Sequence, residues 1–195
     1  LLYDGGWKSF TTNEVFRDVS AWYHIVVAVD TTQAVATNRM KVYINGTQIT
    51  SFATYNAMDQ SADTWFNAAV EHQIGSLIDE TEDGDMYLSE FVFIDGTQYA
   101  ASDFGEFDSN TPTVFKPIDV SGLTFGTNGC YLDFKDSSNL GNDANGGTDW
   151  TVTNLAAADQ STDTPTNSFA TLNSLDGSQG NSTFSEGNCK IAFSS

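Results

Sequence analysis

The sequence is poor in basic residues and has no long apolar run, and each of these shortages argues against one class of function. Only 7 Lys and Arg face 26 Asp and Glu, which gives a formal net charge of −19. A field of that sign repels phosphate backbones, and nucleic-acid affinity depends on neutralising phosphates with Lys and Arg. No segment approaches the run of about 18 apolar residues that a membrane helix needs. We therefore expect neither nucleic-acid binding nor membrane insertion.

Cysteine and proline are also scarce, with 2 and 3 residues. Cys130 and Cys189 form no CxxC motif; they either make one disulfide or stay free and buried. The sequence carries no signal peptide and opens at Leu1 without a methionine. We interpret it as a processed chain or as a piece of a longer protein.

What the sequence has is aromatic residues (13%) and short apolar segments separated by turn residues. The unbroken run at 22–29 predicts a strand buried on both faces or nearly so. Residues 39–44 alternate, with Met40, Val42 and Ile44 on one face, and lead into Asn45-Gly46, the strongest short hairpin signal. The hairpin is the firmest local prediction.

The rest of the pattern predicts further strands and no amphipathic helix of useful length, which favours a β-sandwich. Further strands are expected at 48–52, 72–75, 86–94, 129–134, 150–153 and 190–193, with one helical turn at 101–104 and loops at 53–70. Residues 161–185 turn to Ser, Thr, Asn, Asp and Gly, as in a linker.

Three segments in this order resemble the laminin-G/concanavalin A-like family: RDVSAWYHIVVAVD at 17–30, MKVYING at 40–46, and IG at 74–75 followed by YLSEFVFIDG at 87–96. The later segments FGE at 104–106, GCYLDF at 129–134 and DTPTN at 163–167 are similar to lectin-like proteins of marine bacteriophages. The family's opening strands would precede Leu1 and are largely missing.

The resemblance implies an all-β, concanavalin A-like antiparallel β-sandwich (jelly roll) with a loop-rich C-terminal extension. It implies a sandwich at 1–110, a continuation returning to it at 111–160, and a linker at 161–195 leading to a further strand or domain. It also implies a virion surface protein, such as a tail fibre, adhesin or capsid decoration. The expected partners are other virion proteins, further copies in a homo-oligomer, and host cell-surface polysaccharide.

The sequence does not favour an enzyme, although glucanases use the same sandwich. Their paired carboxylates lie on one strand as E-x-D-x-x-E, and here Asp79 and Glu82 have the later spacing while Leu77 occupies the first position. His24, inside an apolar strand, fits a core histidine better than a catalytic base, and His72 is expected at a strand start. A polysaccharide depolymerase is the third hypothesis.

Acidic loops could hold a hard cation, and Ca²⁺ is the cation we expect there, since clustered Asp and Asn oxygens are its preferred ligands. The candidate ligands are Asp79, Asp83, Asp85, Asp143, Asn145 and Asp149. No Glu stands at the twelfth position of a calcium loop that would start at Asp143. Solvated turns that add solubility are the interpretation that the sequence favours for these loops, and a Ca²⁺ site is the alternative.

Sugar binding needs an exposed ring to stack on a pyranose, with Asn, Asp or backbone groups on the hydroxyls. Trp65, Tyr55 and Tyr99 lie in or beside predicted loops and are the candidates. The leading hypothesis is therefore a virion module that binds host glycans. The alternative is a purely structural module that holds subunits together without a ligand.

Overall fold

The computed structural model describes residues 2–3, 7–76, 84, 86–161, 163–166, 182–185 and 190–193. The all-β prediction is confirmed: the described chain consists of short antiparallel strands, loops and single 3-10 turns. No helix in these ranges is long and apolar enough to cross a membrane. The predicted acidic loop at 79–85, except Gly84, lies outside the described residues, as do Cys189 and most of the predicted linker.

Thirteen strands are described, in chain order β1 to β13: Leu2–Tyr3, Trp7–Lys8, Phe10–Thr12, Ile25–Val29, Met40–Ile44, Thr47–Gln48, Phe52–Tyr55, Phe91–Phe93, Gly105–Phe107, Phe115–Pro117, Cys130–Leu132, Ser182–Ser185 and Lys190–Phe193. The 3-10 turns are Ala36–Asn38, Trp65–Asn67, Ala101–Asp103 and Ala157–Asp159. The described strands pair as β1-β2, β3-β7, β4-β5-β6, β8-β11, β9-β10 and β12-β13. A stack of two facing layers stays a prediction.

The hairpin of β5 and β6 confirms the firmest sequence prediction. Asn45 and Gly46 form its two-residue turn with φ values of 48° and 74°, as a type I′ turn requires. Asn45 Oδ1 accepts the backbone N–H of His24 at 2.8 Å, which ties the turn to the residue before β4. A Cβ at Gly46 would lie 2.3 Å from the Phe115 ring, so this position also lacks space for a side chain.

The run at 22–29 forms a strand only from Ile25 to Val29, and the prediction that both faces are buried is wrong. Ile25 and Val27 are 62% and 48% exposed, although Met40 and Val42, on the same face of the sheet, are buried. An apolar run encodes β propensity on both faces, but it does not encode which faces other elements cover.

Other strand predictions were too long or wrong. Only 91–93 of the run at 86–94 is a strand, and it begins directly after Glu90, whose φ of 58° is a left-handed conformation that an extended strand excludes. Residues 72–75 and 150–153 form no strand, whereas β7 extends to Tyr55 into the predicted loop. The helical turn at Ala101–Asp103 and the strands Cys130–Leu132 and Lys190–Phe193 are confirmed.

The chain divides into two compact units. Unit 1 comprises residues 1–86 and 94–128, and its buried side chains include Met40, Val42, Ile49, Met58, Val120 and Phe125. Unit 2 comprises 87–93 and 129–195, with all three residues of β11 buried. There the Phe91 ring meets the Trp150 indole edge-on at 6.0 Å.

Many aspartates close turns in both units. The carboxylates of Asp18, Asp30, Asp108, Asp119, Asp133, Asp136 and Asp143 each accept the backbone N–H of the residue two positions later. This is the Asx turn, for which a short carboxylate side chain is suited. Much of the acidity therefore shapes loops in addition to providing charge.

Candidate functional site

Three polar side chains of unit 1 converge at its surface. Asp95 Oδ1 accepts a hydrogen bond from Asn67 Nδ2 at 2.6 Å. Asp95 Oδ2 accepts the backbone N–H and the Nδ2 of Asn128, both at 3.2 Å. Asn128 Nδ2 also donates to Asn67 Oδ1 at 3.1 Å, so the three side chains close a ring of hydrogen bonds. We call Asn67, Asp95 and Asn128 the amide–carboxylate cluster.

Backbone contacts hold the loop that carries Asn128 close to Asp95. The N–H of Asp95 donates to the carbonyl of Phe125 at 2.8 Å, and the Phe125 side chain is buried. Gly126 follows with φ 80°, and a Cβ there would fall 2.1 Å from the carbonyl oxygen of Asp95. Only glycine fits both this conformation and this approach.

Tyr99, predicted as a stacking residue, is bonded to the same loop. Its hydroxyl accepts the N–H of Thr124 at 3.1 Å, and its ring meets Phe104 edge-on at 6.2 Å. The side chain is partly buried. Tyr99 therefore stabilises the loop that carries Asn128.

The cluster keeps hydrogen-bonding capacity after its internal bonds are made. Both Nδ2 hydrogens of Asn128 are used, whereas Asn67 Nδ2 uses one of its two. Asp95 Oδ1 accepts one bond and has a further lone pair. The second N–H of Asn67 Nδ2 and a lone pair of Asp95 Oδ1 thus remain available, on two atoms that lie 2.6 Å apart. This donor and this anionic acceptor together suit a hydroxyl group.

An exposed aromatic pair adjoins the cluster in sequence. Trp65, Phe66 and Asn67 form one 3-10 turn, and the side chains of Trp65 and Phe66 are 57% and 51% exposed. Phe66 also contacts His72, with ring centroids 6.4 Å apart. The short turn fixes the two rings and the Asn67 amide on one element.

Tyr55, the third predicted aromatic, lies elsewhere in unit 1. It ends β7, and its hydroxyl donates to the carbonyl of Met40 at 2.9 Å. Its ring packs on Phe52, with centroids 5.1 Å apart, and burial raises the pKa of its hydroxyl. Tyr55 therefore links the end of β7 to Met40 of β5.

The carboxylates of two predicted ligands in the second acidic loop, Asp143 and Asp149, accept hydrogen bonds from backbone N–H groups. Asp143 Oδ1 accepts the N–H groups of Tyr131 and Asn145 at 2.9 and 3.0 Å, and Oδ2 accepts that of Gly147 at 3.1 Å. Asp149 Oδ1 accepts the N–H of Asp143 at 3.0 Å. In the described parts of the chain, no group of three or more His, Cys, Asp or Glu is arranged to hold a metal ion. Asp79, Asp83 and Asp85 lie outside those parts.

The two histidines lie in different surroundings. The His24 ring packs against the Phe115 ring at a tilt of 59° with centroids 5.0 Å apart, its Nδ1 is buried without a hydrogen-bond partner, and burial lowers its pKa. His72 is exposed, with Nε2 3.2 Å from the carbonyl oxygen of Ala68. Cys130 is a buried free thiol, and burial raises its pKa.

Sequence reasoning found Trp65 but missed all three members of the cluster. Asn67 is 28 residues from Asp95 and 61 from Asn128. Asp95-Gly96, expected only to close a strand, and Asn128-Gly129 each carry the signature of a turn. Two such turns with polar side chains beside an exposed Trp were the available signal.

Searches with family models, against curated proteins and against solved structures give no match for this chain.

Proposed function

We propose that this protein is a non-enzymatic recognition module that binds neutral glycans at the amide–carboxylate cluster of Asn67, Asp95 and Asn128. The observation that carries the proposal is the donor and acceptor pair of Asn67 Nδ2 and Asp95 Oδ1, held ready at the surface. A sugar hydroxyl both donates and accepts, so one hydroxyl satisfies both atoms. Because the internal bonds of the cluster are already formed, little ordering is needed when the ligand binds.

Trp65 and Phe66 supply the apolar part of such a site. A pyranose ring presents a C–H face that packs on an aromatic ring, and exposed aromatic residues beside converging polar groups are typical of ligand sites. The net charge of −19 disfavours sialylated, sulfated or uronic-acid glycans. We therefore expect neutral hexoses. Shallow sites of this kind bind weakly, and several copies would add through effective concentration.

The laminin-G/concanavalin A-like resemblance and its likeness to phage proteins supply the proposed setting, which is the surface of a virion. Attachment to host polysaccharide would then be the role of the module. A structural module without a ligand is the second candidate, and the exposed side chains of β4 favour it.

A glycan array with the multimerised 195-residue chain tests the glycan proposal. We expect saturable binding to neutral glycans that is lost in Trp65→Ala and in Asp95→Ala. Phe107→Ala and Asp59→Ala are matched controls, since both side chains are exposed and belong to other parts of unit 1. Silent arrays for the unmodified chain, or equal losses in the controls, would contradict the proposal.

A further inference from the structure

One edge of the three-stranded sheet carries backbone groups that no described strand uses. The N–H of Asn45 donates to the carbonyl of His24, and the N–H of Asp30 donates to the carbonyl of Arg39. In an antiparallel ladder, hydrogen-bonded residues alternate with residues that are not bonded to the partner strand. The backbone N–H and C=O groups of the even-numbered residues of β4 therefore point toward β5. The N–H and C=O groups of Ile25, Val27 and Val29 therefore point away from β5. We call these outward groups the β4 edge.

The side chains along this edge are apolar and uncovered. Ile25 pairs with Ile44, Val27 with Val42 and Val29 with Met40, so all six share one face of the sheet. On β5 that face is buried at Met40 and Val42, but on β4 it opens progressively to solvent at Val27 and Ile25. The packing that buries Met40 and Val42 thus does not extend over Ile25 and Val27. Proteins usually protect such an edge with charges, proline or a bulge.

The β4 edge has none of these protections within β4. The register from Ile25 to Val29 is regular, and the strand contains neither proline nor a charged residue. Lys41 lies opposite Ala28 and therefore belongs to the other face. An apolar edge strand of regular register is able to accept an added strand.

The net charge of this chain determines which kind of added strand fits the β4 edge. The chain has 26 acidic and 7 basic residues. Several of the basic side chains are engaged: Lys8 pairs with Asp59, Lys116 with Glu106 and Asp108, and Arg39 donates to three backbone carbonyls. A second copy would bring a further charge of −19, which like-charge repulsion disfavours. A basic strand gains from the same field.

We propose that the β4 edge is a docking site for an extended segment of a partner protein that alternates apolar residues with Lys or Arg. The backbone of that segment bonds to Ile25, Val27 and Val29. Its apolar side chains cover Ile25 and Val27, and its basic side chains lie on the face of Lys41, where attraction by the net charge of −19 must outweigh repulsion by that side chain. The β4 edge and the amide–carboxylate cluster share no residue, so each proposal is tested by itself.

The probe is an acetylated and amidated peptide, Lys-Val-Lys-Val-Lys-Val-Lys, titrated into the full chain at low salt. We expect saturable binding that slows hydrogen exchange at the amides of Ile25, Val27 and Val29, and we expect affinity to fall as salt is added. The matched peptide with Glu in place of Lys should bind at least about tenfold more weakly.

Two variants separate docking from folding. Val27→Pro removes an outward N–H that β5 does not use, a position where edge strands tolerate proline, and should abolish binding while the chain stays folded. The double variant Ile25→Lys, Val27→Lys adds like charge at exposed positions and should also abolish it. Val70→Lys, at another exposed valine of unit 1, should bind as the unmodified chain does.

Three outcomes would overturn the proposal. The first is no binding of the basic peptide, and the second is binding that survives in both β4 variants. The third is protection of the β4 amides that rises with protein concentration in the absence of peptide, which would make a second copy the occupant.

Discussion

Asp95 and Asp143 each accept three hydrogen bonds, yet they do different work. Asp143 is 5% exposed and takes all three from backbone N–H groups, two of them in its own loop and one on β11. Asp95 is half-buried and takes two of its three from side-chain amides. A carboxylate enclosed by backbone donors fixes a loop, whereas one bonded to side chains at a surface keeps acceptor capacity for a ligand.

The largest expected effect comes from removing the enclosed carboxylate. Asp143→Ala leaves the N–H groups of Tyr131, Asn145 and Gly147 without this acceptor, and we expect the free energy of unfolding to fall by about 3 kcal/mol. Urea denaturation measures it. Glycan binding by the folded chain should be unchanged. A loss below about 0.5 kcal/mol would mean that water replaces the carboxylate and that the contrast with Asp95 is false.

Gly126→Ala tests the backbone support of the cluster. The added Cβ meets the carbonyl oxygen of Asp95 in a left-handed conformation, so we expect a loss of about 2 kcal/mol in stability together with weaker glycan binding. Gly96→Ala is the matched control, because Gly96 has φ 83° but nothing within 4 Å of its Cβ position. Equal effects at the two glycines would show that backbone strain alone is responsible and that the close approach does not matter.

Asp95→Asn should affect binding more than stability, unlike the effect predicted for Asp143→Ala. The size of the side chain stays, but the charge is lost and one carboxylate oxygen becomes an NH2 group that faces an N–H donor of Asn67 or Asn128. We expect about tenfold weaker glycan binding with a stability loss of about 1 kcal/mol. Calorimetric titration with a glycan identified on the array measures the affinity. A Kd equal to that of the unmodified chain would remove Asp95 from the site.

The smallest effect is expected from exposed turn aspartates in acid. The Ser138 hydroxyl and N–H lower the pKa of Asp136 below its ordinary value of 3.8, and hydrogen bonds lower those of Asp18, Asp30 and Asp108 similarly. Because the folded pKa is the lower one, their stabilisation is present above the unfolded pKa and is lost as pH falls through the folded pKa. Asp136→Asn should slightly flatten the decline of the melting temperature below about pH 4. An unchanged acid profile would contradict this.

The parts of the fold that local signals define were predictable. Alternation in 39–44 and Asn45-Gly46 specified the hairpin because side-chain period and turn conformation are both local properties. The burial of β4 was not predictable, since Ile25 and Val27 look like core residues in the sequence and are exposed because the packing on Met40 and Val42 does not reach them. The length of β8 depended on the single left-handed residue Glu90, which the apolar run conceals.

The candidate site was predictable only in its aromatic part. Trp65 was identified because a large ring in a polar segment is locally unusual. The cluster itself depends on three loops that meet only after folding, and Gly126 shows its importance only when the nearby carbonyl of Asp95 is known. The spacing of Asp143 and Asn145 suggests cation ligands, but it does not reveal that the Asp143 carboxylate accepts three backbone N–H groups, one of them on β11.

The turn-closing aspartates depend on the length of their side chains as well as on their charge. Replacing each of them with glutamate would leave the net charge and the isoelectric point essentially unchanged. The longer side chain, however, does not close the same ring to the N–H two residues later, which is why Asp and Asn, and not Glu, are favoured in these turns. Such a variant would have nearly the same electrophoretic mobility as this chain but a different stability in urea. Aspartate and glutamate are therefore not interchangeable at these turns, whether they arise by selection or by engineering. A chain with the same composition would not reproduce these loops.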